Sequence, residues 1–181
     1  MKMVRLSLLS DTFSRIKKIG YTEELDGYSA RRLGIFNILN SIGLLTGIII
    51  PVVAILNKGY LPVIAWIVAA APAFISFVVL VANYYRRYDF AMLWYFILYP
   101  AITSLVYMDS IDVGIELFFI LYAVFGVFFL QKLRLILLAI SFSLISYFAA
   151  FVVEQNYEFV IRDINYPFYV FNHVLSVALI F

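Results

Sequence analysis

The chain has 181 residues, of which 65% are hydrophobic and 13% are charged, and its formal net charge is +2. Soluble domains average about 45–50% apolar and about 25% charged residues, so this chain has too few charges to cover a globule in water. Soluble enzymes, nucleic-acid-binding proteins and disordered segments are therefore excluded. The absence of Cys also excludes disulfides and thiolate metal sites. We predict an all-α integral membrane protein in contact with the lipid bilayer.

The first 32 residues are predicted to be a basic cytoplasmic segment that contains a short amphipathic helix. This segment lacks the apolar core and cleavage site of a secretory signal. Gly20 is the expected end of the helix, and a frayed basic tail is the alternative interpretation. The apolar residues that recur at helical spacing are Leu6, Leu9, Phe13 and Ile16.

Residues 33–181 are predicted to form a polytopic bundle of six transmembrane helices. A hydrocarbon core about 30 Å thick needs roughly 20 apolar residues of helix. The connections between the apolar runs are short, which predicts antiparallel neighbours, and only a short polar break around Asp109 separates the third run from the fourth. The predicted spans cover residues 34–56, 61–83, 90–108, 111–130, 133–153 and 166–181.

The distribution of Lys and Arg predicts the orientation of the bundle. The N-terminal segment and the second and fourth loops carry 11 of the 13 basic residues, whereas the odd-numbered loops carry two. By the positive-inside rule, the N-terminus is cytoplasmic. Six spans then place the C-terminus in the cytoplasm as well.

The last apolar run reaches Phe181 without a basic residue or Trp to anchor it. Sixteen residues of helix cover about 24 Å, which is less than the bilayer core. We therefore expect a longer protein, in which a cytoplasmic output domain follows residue 181.

Two ionisable side chains lie at membrane depth, more than one turn from the ends of the predicted spans, and such groups are candidate functional sites because they are costly in lipid. Glu116 lies in the fourth span and His173 lies in the sixth, both in the outer half, and Asn172 adjoins His173. The functional hypothesis is a pocket for a small or lipidic ligand. The alternative is a His bonded across helices and a Glu that reaches the headgroups. This set is too small to predict a metal site, a cofactor or a catalytic centre.

Three Asn side chains, Asn37, Asn40 and Asn83, are predicted to lie near the inner face. Asn side chains stabilise membrane bundles through hydrogen bonds between helices. The alternative hypothesis is that these residues couple the bundle to a cytoplasmic partner. The basic pair Arg86 and Arg87 follows the second span at the same face. It is a second candidate for signal coupling.

The first span also contains a GxxxG motif formed by Gly43 and Gly47. Small residues at this spacing let two helix backbones approach closely. The sequence leaves open whether that contact lies within the bundle or between two protomers.

Several segments resemble a known family. Ala30-Arg31-Arg32 precedes Ile35-Phe36-Asn37-Ile38, Asn83 closes the second span, and Gly114-Ile115-Glu116-Leu117-Phe118-Phe119 opens the fourth. This pattern is similar to the six-helix N-terminal input domains of membrane sensor histidine kinases, and of some class III nucleotide cyclases, in Bacteroidetes-type bacteria. The resemblance implies a homodimeric receptor in the bacterial inner membrane whose sixth helix continues into a catalytic domain. It supplies no ligand-binding residues.

The leading functional hypothesis is therefore a sensory input module. The full-length protein would be a sensor histidine kinase or a nucleotide cyclase, although these residues themselves carry no predicted catalytic group. The alternatives are a small transporter or channel subunit, and a non-catalytic membrane assembly subunit.

Overall fold

The computed structural model describes residues 11–56, 63–108, 115–156 and 174. All regular secondary structure in these ranges is helical, so the predicted all-α class is confirmed for this part of the chain. The predicted sixth span, with Asn172 and His173, lies outside the described residues except for Val174. The helices are α1 (residues 11–17), α2 (Gly27–Leu56), α3 (Val63–Tyr84), α4 (Tyr88–Met108), α5 (Glu116–Phe129) and α6 (Leu133–Asn156).

Four helices are long and apolar enough to cross a bilayer. They have a mean hydropathy between 1.5 and 2.4, and at most a third of each is buried inside the protein. Large apolar side chains such as Ile48, Ile55 and Leu56 are exposed on the helix surfaces. Their contact with water would be unfavourable, whereas contact with lipid tails is favourable. The chain is therefore a membrane protein. The four spans are Gly27–Leu56, Trp66–Tyr84, Tyr88–Met108 and Leu133–Val153.

Where the structure describes them, the predicted span boundaries lie close to the observed helix ends except at two places. Helix α2 begins at Gly27 rather than at residue 34, so position 32 lies inside it. The reason is Asp26, whose carboxylate accepts hydrogen bonds from the Ser29 N–H at 2.7 Å and from the Ser29 hydroxyl at 3.0 Å. This is an N-cap, which hydropathy alone does not register. Helix α5 has only 14 residues and falls below the length of the four spans.

The chain divides into two compact units, Met1–Met92 and Leu93–Phe181. In the first unit, α2 and α3 pack antiparallel. Asn37 near the start of α2 contacts Asn83 near the end of α3, and Gly47 contacts Ala73 farther along both helices.

In the second unit, α5 packs antiparallel to both α4 and α6. The Thr103 and Tyr122 hydroxyls are 2.8 Å apart and join α4 to α5, and the Ser143 hydroxyl donates to the Phe119 carbonyl at 2.9 Å across α5 and α6. Aromatic rings fill the space around these bonds. The rings with contacts in this cluster include Phe96, Tyr99, Tyr107, Phe119, Tyr122, Phe129 and Tyr147.

Candidate functional site

The strongest polar contact between helices in the first unit joins two Asn side chains. Asn83 Nδ2 donates to Asn37 Oδ1 at 2.8 Å, and both residues are 0% exposed. A buried primary amide is costly unless it is hydrogen-bonded. Two of the three Asn residues predicted to form a polar set are thus in direct contact.

Asn37 also binds the segment that precedes α2. Its Nδ2 donates to the Ile19 carbonyl at 2.9 Å and lies 3.4 Å from the Lys17 carbonyl. The Asn37 amide therefore connects three parts of the chain: the turn after α1, the start of α2 and the end of α3. We call Asn37, Asn83, Ile19 and Gly20 the amide latch.

Gly20 allows the turn after α1 to pack directly against α3. Its φ is +73°, and a Cβ built there would lie 2.0 Å from the Asn83 carbonyl oxygen, so only glycine fits. The Gly20 carbonyl accepts a hydrogen bond from the Tyr88 hydroxyl at the start of α4. The helical residues of α1 stop at position 17, and a turn that ends at the predicted Gly20 follows them. The glycine has the additional role of allowing contact with α3.

The third Asn of the predicted set, Asn40, does not take part in the latch bonds. Its Nδ2 donates to the Phe36 carbonyl one turn earlier, at 2.8 Å. Within the described ranges, the buried side-chain oxygens of Asn40 and Asn83 accept no hydrogen bond.

The GxxxG motif acts within the chain at one of its two glycines. A Cβ on Gly47 would lie 2.2 Å from the Ala73 backbone nitrogen, so the α2 and α3 backbones are in contact there. Gly43 is half-buried. The structure therefore places Gly47 in an intramolecular contact, which was one of the two alternatives that the sequence left open.

Arg86 and Arg87 form the turn between α3 and α4. The Arg86 N–H donates to the Asn83 carbonyl and the Arg87 N–H donates to the Ala82 carbonyl, both at 2.9 Å. Arg86 has a φ of +61°. Together these features make a Schellman motif, in which an arginine occupies the position that usually holds glycine. Both side chains are exposed.

The charged groups around the latch are mostly exposed. The Asp26 cap has a carboxyl pKa below its usual value, because the Ser29 N–H and hydroxyl both donate to the ionised form. The buried Arg32 guanidinium lies over the Tyr28 ring, with its carbon 5.7 Å from the ring centroid. The Asp26 cap and the contact between Arg32 and the Tyr28 ring thus stabilise the first two turns of α2.

On the predicted sensing side, the structure describes only Glu116. It lies half-buried in the first turn of α5, after Ile115, which provides no side-chain cap. Asn172 and His173 fall outside the described residues, so the predicted pocket stays a prediction. Across the described ranges, no group of three or more His, Asp or Glu residues is arranged to hold a metal ion.

Sequence analysis missed the buried hydroxyls of the second unit. Ser104 Oγ lies 2.8 Å from the Pro100 carbonyl oxygen and 3.1 Å from the Ser146 carbonyl oxygen, and its single proton is shared between these two acceptors. Ser and Thr occur on many membrane helices, so no spacing singled these out. The contact of Tyr88 with the latch residue Gly20 was also missed, although Tyr88 directly follows the Arg86–Arg87 pair in the sequence.

No protein-family model matches the chain, and no curated protein or solved structure matches it.

Proposed function

We propose that the chain is the input module of a membrane receptor, with six spans and both termini in the cytoplasm. The observation that carries this proposal is the amide latch. It ties a basic segment outside the spans to the ends of two membrane helices through buried amides. A contact of this kind gives a movement of the helices a direct route to the surrounding chain.

The free energy needed to open the latch is small enough for ligand binding to supply it. Hydrogen bonds between membrane helices contribute about 0.6–1.7 kcal/mol each. Opening the Asn37–Asn83 and Asn37–Ile19 bonds therefore costs about 1–3 kcal/mol. A stimulus that prefers the open state by roughly 10- to 100-fold supplies that amount. The stimulus would act from the Glu116 side, and it must bind the two states with different affinities.

The proposed output follows from the family resemblance. Two protomers would pair in the bacterial inner membrane, and the sixth helix would pass the shift to a histidine kinase or, as the next choice, a nucleotide cyclase. The distribution of Lys and Arg supports a cytoplasmic position for the latch. Four exposed basic residues belong to segments near it, and the positive-inside rule assigns such segments to the cytoplasm: Lys17, Lys18, Arg86 and Arg87.

The first experiment is to read the coding sequence after the codon for Phe181. A helical linker followed by a phosphoacceptor-histidine helix, or by a cyclase core, supports the proposal and names the output. A stop codon contradicts it and favours a transporter or channel, for which flux in reconstituted vesicles is then the assay.

The second experiment measures output of the full-length protein in vesicles. Asn37→Leu, Asn83→Leu and Gly20→Ala each break the latch differently, so all three are expected to shift basal output in the same direction. Thr46→Val is the matched control, because the exposed Thr46 hydroxyl donates within α2, to the Ile42 carbonyl, and takes no part in the latch. Folded latch variants with the output of the control would refute the coupling role.

A further inference from the structure

An open groove of about 450 Å³ lies between the last turns of α3 and the first turn of α4. It belongs entirely to the first unit, and it is separate from the amide bonds described above. The residues that line it are Val78, Val81, Ala82, Tyr85, Arg87 and Phe90. Five of the six are apolar or aromatic, and the sixth is an exposed arginine.

The position of this groove in the fold matches a membrane surface. Its floor is formed by the ends of two candidate spans, Trp66–Tyr84 and Tyr88–Met108, and the turn between them carries the charge. Tyr84 and Tyr85 are 68% and 69% exposed there. Exposed Tyr at the ends of membrane helices lies at the level of the lipid headgroups.

The groove has apolar walls and a charged rim, so it can bind a molecule with one apolar part and one anionic part. Val81 and Phe90 are 38% and 48% exposed, so the groove presents apolar surface toward the lipid tails. Arg87 at the rim presents a guanidinium, which binds phosphate through two parallel hydrogen bonds. A phospholipid has this arrangement, with an apolar chain and a phosphate at one end.

The charge of the turn favours an anionic headgroup. Residues 84–92 contain Arg86, Arg87 and the single acid Asp89, which gives a net charge of +1. Arg86 also keeps a left-handed backbone conformation that costs an ordinary residue energy and glycine none. An arginine held where glycine is easier indicates that its charge is used.

We propose that the α3–α4 groove binds one anionic phospholipid, with its phosphate on Arg87 and Arg86 and an acyl chain along Val81 and Phe90. This inference does not depend on the sensory role. It assigns a ligand class to two residues for which the sequence suggested only signal coupling.

The test is lipid retention by the purified chain in detergent, measured by native mass spectrometry during titration with phosphatidylglycerol or phosphatidylcholine. Wild type is expected to retain phosphatidylglycerol preferentially. Arg87→Gln and Arg86→Gly are each expected to lower that retention about five-fold, the effect of one basic residue near an anionic surface. Because Arg86→Gly relieves the backbone, that variant folds at least as well as wild type.

The matched control is the double variant Lys132→Gln with Arg134→Gln, which removes two exposed positive charges from the end of the α5–α6 turn and the first turn of α6. Retention by this control is expected to equal that of wild type. The variant to compare with it combines Arg86→Gly with Arg87→Gln and so also removes two positive charges. Equal losses in the control and in this double variant would overturn the proposal, as would full retention of phosphatidylglycerol by the double variant.

A second arm separates a lipid from free phosphate. Phe90→Ala is expected to weaken retention of phosphatidylglycerol, whereas Phe128→Ala, which truncates an exposed Phe on α5, is expected to leave it unchanged. Inorganic phosphate should not displace the lipid at millimolar concentration. Displacement by inorganic phosphate, or indifference to Phe90→Ala, would show a phosphate site rather than a lipid site and would overturn the proposal.

Discussion

In the first unit, helices α2 and α3 pack extensively against each other, and the Asn37–Asn83 bond and the close approach of Gly47 to Ala73 are two constrained positions in that interface. In the second unit, rings and hydroxyls are distributed along α4, α5 and α6, for example at Thr103–Tyr122 and Ser143–Phe119. Where two helix backbones are in contact, as at Gly47, there is no room for an added side-chain atom, whereas an interface made of side chains can adjust to the change of one of them. The first unit should therefore be the more sensitive to single substitutions.

The largest expected difference comes from a matched pair of glycine substitutions. Gly47→Ala puts a Cβ 2.2 Å from the Ala73 backbone nitrogen, so the helices must separate. Overpacking of this kind costs about 1–3 kcal/mol. In the second unit, a Cβ on Gly126 would meet the Ala139 Cβ at 3.5 Å, which is an ordinary contact. Gly126→Ala is therefore expected to be neutral or slightly stabilising, by up to about 1 kcal/mol.

Thermal unfolding of the two variants in one detergent checks this pair. Equal melting temperatures for Gly47→Ala and Gly126→Ala would contradict the close approach of α2 and α3.

The next effect concerns the hydrogen bonds. Asn37→Leu leaves the Ile19 carbonyl and the Asn83 amide without their partner, so we expect a loss of about 2 kcal/mol in the free energy of unfolding. Thr103→Val removes one partner from the Tyr122 hydroxyl and should cost about 1 kcal/mol or less. A double-mutant cycle on Asn37 and Asn83 measures the coupling. Strictly additive losses would argue against the bond between them.

The smallest effect is a pH dependence confined to the first unit. The Asp26 pKa is lower in the folded state than its ordinary value of 3.8. Its contribution to stability is therefore complete above about pH 4 and is lost as the pH falls through the lowered folded-state pKa. Asn caps a helix without titrating. Melting of wild type and Asp26→Asn should differ at neutral pH and converge in acid, whereas a gap independent of pH would contradict the charged cap.

The helices were largely predictable because apolar runs separated by charged breaks are a strong signal in a membrane protein. The start of α2 at Gly27 was not predictable from hydropathy. Arg31 and Arg32 lower the hydropathy of this segment, but the Asp26 cap makes it helical. Hydropathy scores each residue by its transfer from water. It does not include a hydrogen bond to a backbone N–H.

The candidate site was predictable in part. The rarity of Asn in apolar helices drew attention to Asn37, Asn40 and Asn83, but composition does not tell which of them meet. The partner of Asn37 outside the helices is a backbone carbonyl, at Ile19, and every residue has one. The role of Gly20 against α3 likewise depends on chain topology, because the glycine and Asn83 are distant in sequence.

The two contacts between α2 and α3 also determine which movements are available to that pair. Asn37 and Gly47 are separated by ten positions, as are Ala73 and Asn83, so the contacts are pinned about 15 Å apart along both helices. Sliding by one turn would move Asn83 away from Asn37 and Ala73 away from the glycine together. A slide of less than one turn would break both contacts without forming them again, so tilting or rotating as one body is the movement that keeps both of them.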